Sequence, residues 1–161
     1  MNFRIGIGTD LHKLDTNSSK PLVLGGIQIP FEKGILAHSD GDVLIHAIID
    51  ALLGASAFGD IGTLFPDTDA ENKDKKSEIF LAEVMTMIKA ENFSVINLDC
   101  VIHLEKPKLT PYKPQIRENI ARLLEISVGV VNVKAKTREK LDAVGKGEAI
   151  EAIVSVLLHK S

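Results

Sequence analysis

Two short stretches hold three of the five histidines in this sequence: Asp10-Leu11-His12, and His38-Ser39-Asp40-Gly41-Asp42 with His46 four residues beyond. On an extended segment side chains alternate, so Asp10 and His12 point the same way. Asp42 and His46 are four apart and share one face of a helix. If the two segments meet, a carboxylate oxygen and two imidazole nitrogens converge, a set suited to a divalent transition ion such as zinc. Catalytic zinc sites take three protein ligands and leave a fourth position open. The alternative is two unrelated surface features, a strand-end Asp-x-His and a helical His. His38, before a Ser-Asp-Gly turn, reads either as a donor to a developing anion or as a loop histidine. Asp42 either orients a ligand histidine from behind or offsets a helix dipole.

Further along, Gly59-Asp60-Ile61-Gly62 and Phe65-Pro66-Asp67-Thr68-Asp69 place glycines and acids in one stretch. Backbone N–H groups in such loops hold hydroxyls or phosphates, and plain turn chemistry accounts for them as well. Lys106-Pro107-Lys108 is suited to a nucleotide's base or phosphates, or is a solvated loop. Lys134, Lys136, Arg138 and Lys140 surround Thr137 and Glu139 at a strand end. That is a local phosphate site in an acidic chain, with Glu139 able to hold a hard cation such as magnesium, or else a charged strand edge. Gly145-Lys146-Gly147-Glu148 lacks the spacing of a P-loop.

These groups need elements to carry them. At 161 residues with 45% hydrophobic and 25% charged residues, the chain is expected to be one domain, 1–161. A net charge of −3, no Trp and a single Tyr argue against a nucleic-acid platform. Cys100 is the only cysteine, which excludes an internal disulfide and a thiolate zinc site; beside Val101 and Ile102 it reads as a buried, inert thiol. No stretch reaches membrane-spanning length, so a cytoplasmic protein is expected. Strands are expected at 3–9, 93–104 and 130–137, with a 22–29 hairpin turning at Gly25-Gly26. Residues 148–159 are ambiguous and tilt towards a strand. Helices are expected to about Ser56 from a cap at Ser39 or Asp40, from 74–77 to Ala90, and over 112–125 with Ile116, Ile120, Leu123 and Leu124 inward. Residues 58–69, 105–111 and 138–147 read as loops. The class is α/β (α+β), a mixed sheet covered by helices.

With these motifs in place, the chain resembles the 2-C-methyl-D-erythritol 2,4-cyclodiphosphate synthase family of the non-mevalonate isoprenoid pathway. Residues 8–12, 24–26, 37–42 with His46, 50–55, 59–62, 65–69, 106–108, 132–135, 139–141 and 147–148 carry the resemblance, which runs nearly end to end. It implies a homotrimer with active sites between subunits. It also implies a phosphorus–oxygen lyase acting on a cytidine-diphosphate-linked methylerythritol 2-phosphate, whose 2-phosphate attacks the β-phosphorus and releases CMP. By the same resemblance Asp10, His12 and His46 bind Zn2+, and Glu139 helps hold Mg2+ or Mn2+. His38 and Thr137 stabilise the transition state. Ser39 binds substrate, and Asp60, Ile61, Gly62, Phe65, Pro66, Asp67, Thr68 and Asp69 contact the methylerythritol side. Leu104, Glu105, Lys106, Pro107, Lys108, Leu109 and Thr110 form the cytosine pocket; Lys136, Thr137, Arg138 and Glu139 contact the diphosphate, with Lys146 nearby. The family's Thr-Thr-Thr-Glu-Lys-Leu-Gly reads Lys136-Thr137-Arg138-Glu139-Lys140-Leu141-Asp142 here. Asp142 is expected to restrict the loop, because glycine accepts positive φ more readily. An aromatic and an arginine of the family are replaced by Ala143 and Lys146. The rival readings are another metal-dependent phosphoryl-transfer or phosphohydrolase activity, and a non-catalytic binding module.

Overall fold

Strand β1 (Phe3–Asp15) runs on past Thr9, where the apolar alternation fades, because residues 10–13 continue to pair antiparallel with β7 (Ala149–Lys160). Backbone pairing needs no alternation of side chains, so periodicity undercounts such a strand. The computed structural model describes residues 2–161 apart from positions 67, 70, 71 and 73. β7, the ambiguous segment of the sequence, is a central strand. It pairs antiparallel with β1 on one side and β5 (Phe93–His103) on the other, and β6 (Val131–Lys136) lies parallel to β5. A short edge strand, β4 (Gly34–Leu36), completes the order β4-β1-β7-β5-β6. Three residues are too few for a period to show, and the sequence reading missed it. The hairpin of β2 (Leu22–Leu24) and β3 (Ile27–Ile29) forms as expected, with Gly25 and Gly26 at φ 58° and 77°. Both lie in the left-handed region that the favoured two-residue hairpin turn requires.

Helices cover one face of the sheet. α1 (Val43–Ser56) lies on β1 and β7 and against α3 (Ser77–Ala90), so its side chains are buried nearly all round. Its cap is Asp42, neither Ser39 nor Asp40: the Asp42 carboxylate accepts the N–H groups of Leu44 and Ile45. α4 (Lys113–Leu124) crosses between the parallel strands β5 and β6, burying Ile116, Ile120 and Leu124. Two segments expected as loops each contain one helical turn, α2 (Ile61–Leu64) and α5 (Asp142–Gly145). Four residues carry no helical period; Asp60 starts α2 by accepting the Thr63 N–H at 2.7 Å.

α1 approaches β1 closely because β1 has glycine at positions 6 and 8. A Cβ on either would stand 1.9 Å from a backbone carbonyl oxygen of α1, that of Ala51 or Ala47. This contact brings a helix side chain within reach of the strand's even-numbered residues. The opposite face of the sheet is bare within one chain. Ile5, Ile7 and Leu11 are 72%, 68% and 58% exposed there, a row that a soluble surface rarely leaves contiguous. Cys100 is buried, as expected, and burial pushes its thiol up to about 12, leaving no thiolate for chemistry. Among the described residues no helix is long and apolar enough to cross a membrane.

Candidate functional site

Asp10 and His12 stand on the β1 face that meets α1, and His46 projects from α1 towards them. One ligand atom from each lies within 4.8 Å of the others. The contacts aim the atoms. Leu11 N–H holds Asp10 Oδ1 at 2.9 Å, so Oδ2 turns to His46 Nδ1 at 3.0 Å. His12 Nδ1 lies 2.9 Å from the Leu11 carbonyl; donating there leaves Nε2 as its free lone pair. Two imidazoles and a carboxylate at this spacing fit a tetrahedral zinc site with one position left for a ligand oxygen. Burial lowers the affinity of His46 for its proton. The hydrogen bond to Asp10 and the charges of Asp10, Asp42 and Asp40 outweigh it, and the imidazole titrates above its ordinary value. An anionic pocket of this kind is one that a cation stabilises.

The three residues open on a cleft of about 340 Å3 that His38, Ser39, Ile61, Gly62 and Phe65 also line. Asp60, Pro66, Thr68 and Asp69 belong to the same segment but not to this lining, and Asp67 lies outside the described residues. Asp50, one turn beyond His46, accepts the Ile61 N–H at 2.8 Å and so fixes where α2 begins beside the cleft. Burial raises the Asp50 carboxyl, while the Thr63 N–H lowers that of Asp60.

Asp42 does not orient His46. Its buried carboxylate caps α1 and also accepts Gly25 N–H at 2.9 Å and Gly26 N–H at 2.6 Å, pinning the hairpin turn to the helix start. Burial raises its carboxyl to about 6 against the pull of these donors. Three contributions escaped the sequence reading. Ser77, fully buried at the start of α3, lies 2.8 Å from His46 Nε2. Asp40 accepts both the hydroxyl and the backbone N–H of Ser77, capping α3 rather than α1. Lys20 lays its ammonium on the carbonyls of Ala37, His38 and Ser39, at 2.7, 3.1 and 2.5 Å, and on Asp74 at 2.9 Å, which holds the His38 segment. No spacing rule joins these residues; only the fold does.

The remaining expected residues gather elsewhere. Residues 104–110 follow β5, with Leu104 and Leu109 buried and Lys106, Lys108 and Thr110 exposed. The Leu104 N–H donates to the Lys136 carbonyl at 2.9 Å, tying them to the end of β6. There Thr137 Oγ1 donates to Glu139 Oε1 at 2.7 Å, and Glu105 accepts the Arg138 N–H at 2.8 Å. The Arg138 guanidinium turns back to Glu151, which His103 Nδ1 also approaches at 2.9 Å, and Lys134 pairs with Asp99. Lys136 therefore remains an exposed cation placed for a phosphate, with Glu139 exposed beside it as a carboxylate for a cation; Lys146 is exposed beyond α5. Asp142 takes the backbone region that glycine accepts more readily. It adopts φ 56° itself, beside Glu139 and Lys140 at 50° and 64°, and its side chain accepts the Gly145 N–H at 3.0 Å. Aspartate is among the few residues that tolerate this region by local hydrogen bonding. Leu11, Glu151, His103 and Lys136 stand on one rung. Three strand spacings, about 14 Å, thus separate the β1 and β6 ends, and Lys136 projects from the face opposite to Asp10 and His12. Within one chain the residues at the cleft and those at the end of β6 lie apart.

Comparison with known proteins agrees with this geometry. A model of the YgbB family matches residues 3–159. The 2-C-methyl-D-erythritol 2,4-cyclodiphosphate synthase of Geobacillus kaustophilus is 52% identical over 159 residues, covering 99% of both chains. That of Neisseria gonorrhoeae is 50% identical over 157 residues, covering 98% of this chain and 97% of its own. Among solved structures, the CDP complex of Plasmodium falciparum IspF superposes with a TM-score of 0.87 at 37% identity, covering 99% of this chain and 97% of that one. A family model and relatives that match nearly every residue leave one assignment: the chain belongs to the YgbB family, the family of the cyclodiphosphate synthases it resembles.

Proposed function

We propose that this chain, as one catalytic domain over residues 1–161, converts 4-diphosphocytidyl-2-C-methyl-D-erythritol 2-phosphate into 2-C-methyl-D-erythritol 2,4-cyclodiphosphate and CMP. An oxygen of the 2-phosphate attacks the β-phosphorus, the bond from that phosphorus to the bridging oxygen breaks, and CMP leaves with that oxygen. The observation that carries the reading is the convergence of Asp10, His12 and His46 on a cleft lined by His38 and Ser39, in a chain of this family. The CDP bound by the Plasmodium falciparum relative supports a cytidine-diphosphate-linked ligand.

The reaction needs alignment and charge neutralisation more than covalent help, because nucleophile and electrophile sit in one substrate. Asp10, His12 and His46 would hold Zn2+, and Glu139 would give one oxygen to Mg2+ or Mn2+, ions that polarise and template phosphate oxygens. His38 donates a hydrogen bond to the phosphate where negative charge grows, and Lys20 keeps it there by holding its backbone. Ser39, Asp60, Ile61, Gly62, Phe65, Pro66, Asp67, Thr68 and Asp69 bind the methylerythritol phosphate. Residues 104–110 take the cytosine, with buried Leu104 and Leu109 stiffening the loop beneath it. The stretch Lys136, Thr137, Arg138 and Glu139 contacts the diphosphate.

The enzyme acts as a homotrimer with sites between subunits. The bare row of Ile5, Ile7 and Leu11 supports association, and the separation of the two half-sites supports completion of each by a neighbour. The enzyme works in the cytoplasm with no membrane or nucleic-acid partner, and the net charge of −3 argues against a polyanion as ligand. The test is turnover of the substrate with zinc and magnesium, followed by phosphorus NMR. Two coupled ring-phosphate resonances with free CMP are expected. An open-chain phosphate carrying solvent oxygen would instead mean a phosphohydrolase, and intact substrate on ion-loaded protein a binding module.

A further inference from the structure

On the side of the ring away from Asp10, His46 Nε2 meets Ser77 Oγ at 2.8 Å and, more distantly, Ser39 Oγ at 3.3 Å. Ser77 is wholly buried, and its hydroxyl is in close contact with Asp40 Oδ1. A hydroxyl has one proton, and a carboxylate only accepts, so the Ser77 proton goes to Asp40. The Ser77 oxygen is then left to accept, and Nε2 must donate. Asp40 is itself held, since its other oxygen takes the Ser77 N–H at 3.0 Å and its first also takes the Asp42 N–H at 3.2 Å. The relay is thus anchored at the starts of two helices, α1 and α3, rather than on a mobile side chain. With Nε2 committed, the remaining nitrogen, Nδ1, is the one 3.0 Å from Asp10 Oδ2. A lone pair and a carboxylate oxygen at that distance require a cation or a proton between them.

We infer that Ser77 and Asp40 are positioning residues for the metal ion: by receiving the Nε2 proton of His46 they fix its tautomer and ring angle and make Nδ1 the ligating atom. The inference rests on the zinc reading of Asp10, His12 and His46. Hydrogen-bond partners behind a ligating histidine are worth about 10–100-fold in metal affinity. The loss expected for Ser77→Ala and Asp40→Asn is of that size. Ser77→Thr, which keeps the hydroxyl, restores most of it, an outcome that loss of packing alone would not produce.

Zinc affinity of the purified full chain, by competition with a chromophoric chelator, reads these values, with circular dichroism to confirm the fold. A second measurement needs no variant. In zinc-loaded protein carrying 15N-histidine, the His46 ring is expected to show a protonated Nε2 and a metal-shifted Nδ1. A metal-shifted Nε2 overturns the inference, as does zinc affinity unchanged in Ser77→Ala while the wild type binds. A wild-type chain that takes up no zinc overturns the metal reading and this inference with it.

Discussion

At the scale of single residues, the site is a set of half-buried charges aimed by named hydrogen bonds. His46 titrates above its ordinary value, so in ion-free protein its charged form contributes stability below the unfolded value of about 6.5. That contribution is lost as the pH rises through the higher folded value. Zinc must displace the same proton, so its affinity climbs over the same range. Thermal melts of ion-free and zinc-loaded protein from pH 5 to 9 are expected to diverge as the pH rises; parallel curves would mean His46 is not a ligand. Asp42 answers to four backbone N–H groups at once. Hydrogen bonds to a charged group are worth roughly 1.5–3 kcal/mol each, and burial of the carboxylate costs part of that back. Asp42→Ala is expected to lose about 2–4 kcal/mol in urea unfolding. Asp42→Asn, with one accepting oxygen in place of two, is expected to fall in between.

At the scale of elements, one contact decides whether the ligands meet. α1 sits on β1 only because Gly6 and Gly8 have no Cβ. Gly8→Ala sets a methyl against a helix carbonyl at 1.9 Å, where backbone rather than a flexible side chain must move. Overpacking of this kind costs about 1–3 kcal/mol or more, and His46 is carried away from Asp10 and His12 with the helix. Zinc affinity and melting temperature are expected to fall together. Gly54→Ala is the opposite case. Its Cβ meets nothing nearer than 4.0 Å, and the helix gains up to about 1 kcal/mol from the better former. If both variants melt alike, close approach is not what the β1 glycines provide.

At the scale of the whole molecule, the proposed half-sites and the bare sheet face belong to one question. The face that keeps Ile5, Ile7 and Leu11 more than half exposed in the single chain is the one the proposed trimer would cover. Ile7→Glu leaves the covered face untouched and places a charge in the middle of that row. On the proposed trimer, sedimentation is expected to shift from trimer to monomer, with turnover lost and the secondary structure kept. A variant that stays trimeric would place the contact between subunits on another surface.

Much of this protein is written locally. The Asp-x-His spacing, the helical position of His46, the Gly-Gly hairpin turn, the inward stripe of α4 and the strands β5 and β6 follow from period and turn chemistry, which neighbours in sequence settle. Family resemblance added the reaction. Elements too short to repeat a period, β4, α2 and α5, left no such mark. The middle position of β7 depended on which strands came to flank it. The partners of the site residues were decided by tertiary structure alone. Asp42 reaches a hairpin sixteen residues back, Asp40 caps a helix thirty-seven residues on, and Ser77 stands behind a histidine thirty-one residues before it. A hydrogen bond is made across space within 3 Å or so, and distance along the chain holds no record of it until the chain has folded.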